Sequence, residues 1–237
     1  MKSIKTYIPN TITCLNLLCG SLAIVLAFHD GMILGPLGAR QWAWVLIGAA
    51  AVFDFCDGLS ARALGAYSSM GKELDSLSDL VSFGLAPAFL VMNAYVAAGA
   101  SMWLSLVGLM IGLCGALRLA KFNVDTRQST SFIGLPIPAN AIFWVGVLGW
   151  IEAHGWPGDV VMTVIVVVFS LLMVSELKMF SLKVKSLGFK SNVRRYTVLL
   201  AGILFVVTEG VAGLAWTIVL YILISLLGKR NFDEQDV

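Results

Sequence analysis

Asp54, Asp57, Asp75 and Asp79 stand in a stretch otherwise apolar enough to be membrane. A carboxylate at membrane depth costs at least ~2.5 kcal/mol on the lenient insertion scale, so these acids need something that compensates them jointly. Asp54 and Asp57 are spaced i,i+3, and Gly58, Ala61 and Arg62 follow on the same helical face. Asp75 and Asp79 are spaced i,i+4, with Gly71 one turn earlier. Two adjacent helices with this spacing aim all the carboxylates into one cleft. Carboxylate oxygens suit the hard cations Mg²⁺, Mn²⁺ and Ca²⁺, and no nearby His or Cys set favours zinc. Gly58 and Ala61 present almost no side chain, so a flat base or a phosphate can approach the backbone. Arg62 supplies a planar fork for phosphate. Metal-assisted phosphoryl chemistry fits best on these grounds. A cation-coupled transporter and a purely structural pairing of acids are the alternatives. Transporters often repeat their broken helices in two halves, and the second half of this chain has no matching acidic cluster.

The elements that must position these acids are membrane helices. Of the 237 residues, 59% are hydrophobic and only 13% charged, against about 25% charged in soluble domains. Spanning helices need about 20 apolar residues. Apolar runs of that kind fall near 11–29, 42–64, 73–98, 102–120, 136–153, 159–178, 195–208 and 211–228. The expected fold is therefore an all-α polytopic integral membrane bundle of about eight transmembrane helices. It forms one domain over 1–237, with a short interfacial segment over 1–10 and the first apolar run retained as a helix. With the N-terminus in the cytoplasm, every one of the 16 Lys and Arg residues except Arg40 falls on the inner side. That bias places both termini in the cytoplasm and the aspartates near the cytoplasmic face. Lys2, Lys229 and Arg230 count toward that inner-side bias, and Lys183, Lys185, Lys190, Arg194 and Arg195 form a basic inner loop read as a topology and anionic-lipid determinant. Trp42, Trp44, Trp103, Trp150 and Trp156 fit an outer interfacial belt. Cys14, Cys19, Cys56 and Cys114 lie singly in apolar runs and read as small buried hydrophobes.

The run Asp54-x2-Asp57-Gly58-x2-Ala61-Arg62-x8-Gly71-x3-Asp75-x3-Asp79 resembles the signature of the CDP-alcohol phosphotransferases at every fixed position. Resemblance to the phosphatidylserine synthase branch of that family extends over roughly 9–140. It includes Pro9-Asn10-x2-Thr13-x2-Asn16, Gly71-x-Glu73-Leu-Asp75-Ser-Leu-Ser-Asp79-x-Val-Ser82-Phe-Gly84, Leu117-Arg118-Leu-Ala-Lys121-Phe-Asn123 and Phe132-x-Gly134-Leu-Pro136-Ile-Pro138. Relatives that use glycerophosphate typically read Asp-Pro-x-Ala-Asp-Lys where this chain has Asp75-Ser-Leu-Ser-Asp79-Leu. Lys121 departs from the Arg usual in the branch, which keeps the charge and loses the bidentate geometry.

The resemblance implies transfer of a phosphatidyl group from CDP-diacylglycerol to the hydroxyl of L-serine, giving phosphatidylserine and CMP. A sister enzyme with another acceptor alcohol is the alternative within the family. It implies that Asp54, Asp57 and Asp75 hold Mg²⁺ or Mn²⁺, with Asp79 contributing to a second metal and Ca²⁺ able to occupy the site, and that Asp79 also takes the proton of the attacking hydroxyl. Asn10, Thr13, Asn16, Gly58, Ala61, Arg62 and Ser68 would hold the CDP group. Serine carries a carboxylate, and the cations around the next inner loop are Arg118, Lys121 and Arg127; the first two are its candidate partners. Ser76, Ser78 and Ser82 either pack helices or line the cleft. A homodimer in a bacterial-type cytoplasmic membrane is expected, with the lipid bilayer as partner and no nucleic acid.

Overall fold

Long apolar runs with few breakers have one solution in a bilayer, the helix, because it satisfies its backbone groups internally. The computed structural model describes residue 5 and residues 7–125, 132–180 and 189–227, and these are mostly helical. Lys2, Arg127, Lys183, Lys185, Lys229 and Arg230 lie outside the described residues. The chain divides into two compact units, with the boundary between Leu119 and Ala120.

In the first unit, α1 (Tyr7–Ala27) is followed by a two-strand hairpin, β1 (Ile33–Leu34) and β2 (Leu37–Gly38), and by α2 (Ala39–Leu64). Arg40 pairs with Asp30 in this connection, so the one cation assigned to the outer side meets a carboxylate. The 26 residues of α2 extend about 39 Å, enough for a hydrocarbon core of about 30 Å. Next come α3 (Ser69–Asp79), a π-helical segment (Leu80–Leu85) and α4 (Ala86–Ala97) in one continuous run. The π turn has a cause in the sequence. Pro87 has no N–H to give and its ring crowds the preceding turn, and the chain answers with a wider turn closed by Ala86 N–H to the Val81 carbonyl. Then follow α5 (Met102–Ser105), a 3₁₀ turn and α6 (Leu109–Val124), which crosses the unit boundary. α1 packs on α2, α3, the π segment and α4.

In the second unit, β3 (Phe132–Ile133) pairs antiparallel with β4 (Lys178–Met179). The helices are α7 (Ile137–His154), α8 (Asp159–Val174), α9 (Phe189–Glu209) and α10 (Gly213–Leu227). α10 packs on α7 and α9. Gly213 faces Phe205 and Gly202 faces Thr217, so α9 and α10 run antiparallel.

Among the described residues, five stretches are long and apolar enough to cross a membrane, namely Tyr7–Ala27, Ala39–Leu64, Ser69–Ala97, Met102–Val124 and Asn192–Leu227. Asp159–Val174 is a shorter apolar helix. Several boundaries differ from the hydropathy reading. α1 starts at Tyr7, so positions 7–10 belong to it rather than to a separate segment. α9 starts at Phe189, because basic residues end a hydropathy window without ending a helix. Trp44 is buried rather than interfacial, and Cys14 is exposed, so only Cys19 and Cys114 behave as buried hydrophobes.

Candidate active site

Two local devices bring the acids together, and both are written in small residues. α2 ends in a Schellman closure: Gly65 takes a left-handed φ of 59°, its N–H reaches the Arg62 carbonyl, and Ala66 N–H returns to Ala61 O at 2.9 Å. Ser68 caps the start of α3, its hydroxyl accepting from Gly71 N–H at 2.9 Å. The chain thus reverses within one short turn. Asp54 and Asp57 on α2 then face Asp75 on α3, and each can offer one carboxylate oxygen within 4.8 Å of the other two.

Three ionised carboxylates that close repel by on the order of 3 kcal/mol per pair at the effective dielectric of a protein. Only a shared cation or added protons relieve that. The donors are hard oxygens, and Asp75 Oδ1 is buried without a hydrogen-bond donor among the described residues, so the three aspartates fit a divalent metal of the Mg²⁺ or Mn²⁺ kind. Asp79 is not part of this 4.8 Å group. It is buried one turn beyond Asp75, where Asn16 Nδ2 donates to its Oδ1 at 3.2 Å. α1 also reaches the triad: the Thr13 hydroxyl stands 2.6 Å from Asp57 Oδ2 and 3.0 Å from the Pro9 carbonyl. Its single proton goes to the charged acceptor by preference.

Beside the triad opens a cleft of about 210 Å³. Asn10 and Thr13 line it from α1, Gly58 and Ala61 from α2, and Ser68 from the turn, and Asp57 and Asp75 form its acidic end. Gly71 completes the wall. A Cβ there would sit 3.0 Å from Ser68 Oγ and 3.1 Å from Asn10 Oδ1, so glycine keeps the cleft open. Arg62 is exposed, with its Nη1 only 3.8 Å from where a Gly58 Cβ would lie. The sequence reading missed Pro9, Ala66, Tyr67 and Lys72 as further lining residues. Tyr67 and Lys72 flank the Ser68-to-Gly71 stretch, and that adjacency was the available signal.

The remaining candidates sit elsewhere. Asn16 and Arg118 are buried and do not line the cleft. Lys121 belongs to the second unit, where its ammonium pairs with Glu176. Ser82 takes the packing role, donating to the Asn16 carbonyl at 2.9 Å.

The sequence profile of the family described as CDP-alcohol phosphatidyltransferase matches residues 6–175. This stretch contains every aspartate of the site, and the chain belongs to that family. Among curated relatives, a CDP-diacylglycerol–serine O-phosphatidyltransferase of Methanocaldococcus jannaschii is 37% identical over 172 residues, 72% of this chain and 72% of the relative. The enzyme of the same name from Bacillus subtilis is 41% identical over 137 residues, 56% of this chain and 70% of its own. An archaetidylserine synthase of Methanothermobacter thermautotrophicus is 37% identical over 182 residues, 75% of this chain and 72% of its own.

Proposed function

We propose that this protein transfers the phosphatidyl group of CDP-diacylglycerol to the hydroxyl of L-serine, forming phosphatidylserine and CMP. The observation that carries the reading is the oxygen-only triad of Asp54, Asp57 and Asp75 at the end of a cleft walled by Gly58, Ala61 and Gly71. Membership of the family supports the nucleotide-activated substrate, and the names of the three relatives share serine as the acceptor while differing in the lipid.

In this reading Asp54, Asp57 and Asp75 hold Mg²⁺ or Mn²⁺, with Asp79 contributing nearby. A divalent ion so held polarises the pyrophosphate and stabilises CMP as leaving group. Asn10, Thr13, Gly58, Ala61 and Ser68 receive the CDP group in the cleft, and Arg62 at its rim offers two N–H groups to phosphate. Asp79 accepts the proton of the serine hydroxyl as its oxygen bonds to the lipid-linked phosphorus and the bond to CMP breaks. Arg118, and more weakly Lys121, are the candidate partners of the serine carboxylate.

The setting we propose is one integral membrane domain of eight spans, as a homodimer in a cytoplasmic membrane. Both termini and the cleft lie on the cytoplasmic side, where the positive-inside pattern puts them. The acyl chains then stay in the bilayer while CDP and serine meet at its rim.

The test is release of CMP by the purified protein with CDP-diacylglycerol, Mg²⁺ or Mn²⁺ and a panel of alcohols. Serine-dependent CMP release with phosphatidylserine as co-product is expected. Release only with another alcohol assigns the chain to a sister activity, and no release with any acceptor overturns the reading.

A further inference from the structure

Resemblance groups Asn16 with Asn10 and Thr13 as a holder of CDP. The structure separates it from them. Asn10 and Thr13 line the cleft and Asn16 does not. Asn16 is fully buried, and among the described residues its side chain makes one hydrogen bond, from Nδ2 to Asp79 Oδ1 at 3.2 Å. Among the described residues its Oδ1 has no donor. Only the donor end of an amide is compatible with a carboxylate.

The backbone of Asn16 is itself held. Its carbonyl accepts from Ser82 Oγ at 2.9 Å. One turn on, a Cβ at Gly20 would fall 2.5 Å from Ser82 Cα, so α1 lies directly against the π segment that follows Asp79. The latch joins two places that the rest of the helix cannot adjust separately: the residue that touches Asp79, and the first turn after Asp79.

We infer that Asn16 is a positioning residue for the acceptor step, which orients Asp79 toward the attacking hydroxyl, rather than a contact of the nucleotide. This rests on the proposed function, in which Asp79 receives the proton. The first-helix contacts therefore divide by task. Thr13, beside Asp57 and in the cleft wall, serves the donor lipid, and Asn16, three residues further into the helix, serves the acceptor.

Steady-state kinetics of Asn16→Ala, Asn16→Asp and Asn16→Gln in the full-length protein test it, with CDP-diacylglycerol and serine varied separately. Loss of one hydrogen bond to a charged group corresponds to about a 10- to 100-fold change. A fall of that size in kcat is expected for the Ala and Asp variants, with the KM for CDP-diacylglycerol within about threefold of wild type on the same scale. Asn16→Gln keeps a donor and should recover part of kcat. General loosening of α1 would also displace Asn10 and Thr13 and raise the CDP-diacylglycerol KM in step. That result, or an unchanged kcat, overturns the inference. Asn16→Asp keeps the volume of the side chain and covers the case in which the alanine variant does not fold. Wild-type protein that releases no CMP with serine refutes the proposed function instead, so the two failures are distinguishable.

Discussion

The first unit holds a cleft of about 210 Å³ whose wall includes Asn10, Thr13, Asp57, Ser68, Lys72 and Asp75. The second holds a larger cavity of about 330 Å³, lined by side chains such as Phe143, Val161, Ile165, Phe169, Trp216 and Val219. Size would choose the second and chemistry chooses the first. In a bilayer an apolar cavity has no groups that can orient or polarise a substrate, and lipid chains are as apolar as its walls. The smaller cleft concentrates the charged groups that phosphoryl transfer requires. Both units also rely on helices in close contact, but with different consequences. Gly20 against Ser82 brings a hydroxyl to the Asn16 carbonyl beside the acids. Gly146 against Ala215 makes a contact with no polar side chain in it.

Substitutions that divide along this line sharpen the comparison, and ones that ignore it break it. The largest effect belongs to the triad. Asp57→Asn should lower serine-dependent CMP release by about 1,000-fold, the value of a lost metal ligand worth about 4 kcal/mol, with little change in the thermal melt. Phe169→Ala in the second unit should do the reverse. It removes a ring stacked on Phe143 and should cost about 3 kcal/mol of stability, read as a lower melting temperature in detergent, while kcat per folded molecule holds. Gly71→Ala should raise the KM for CDP-diacylglycerol by about 10-fold, one tenfold step being about 1.4 kcal/mol. Its Cβ crowds Ser68 and Asn10, so kcat should change less. The smallest effect is Arg40→Gln. The Arg40–Asp30 pair is partly solvent-exposed and should contribute under about 1 kcal/mol, with both kinetic constants unchanged. A kinetic defect in Phe169→Ala as large as that of Asp57→Asn would show that the two units do not divide the work in this way.

Much of the site could be read from spacing. The i,i+3 and i,i+4 aspartates report helix faces directly, and Gly65, Ser68 and Gly71 announce a helix end, a cap and a close approach. That was enough to put Asp54, Asp57 and Asp75 together. Asp79 was grouped with them because helical spacing measures direction along one helix, not depth against a neighbour. Its place beside Asn16 depends on how α1 packs. The same limit hid Tyr67 and Lys72, since a turn has no period from which to infer what it faces. The π segment was illegible as such, although Pro87 marks where the backbone must adjust. Lys121 meets the same limit: its charge and position point to a substrate carboxylate, and nothing in the spacing announces Glu176, with which it pairs, fifty-five residues later in the chain.

The central claim is that Asp54, Asp57 and Asp75 share one divalent ion that serves the transfer. Mn²⁺ binding, followed by electron paramagnetic resonance alongside CMP release in wild type and Asp75→Asn, tests it most directly. The account predicts that Mn²⁺ binding at the site and serine-dependent CMP release are lost together in the variant, and that a chelator removes both from wild type. An Asp75→Asn protein that transfers to serine with wild-type metal dependence would contradict it.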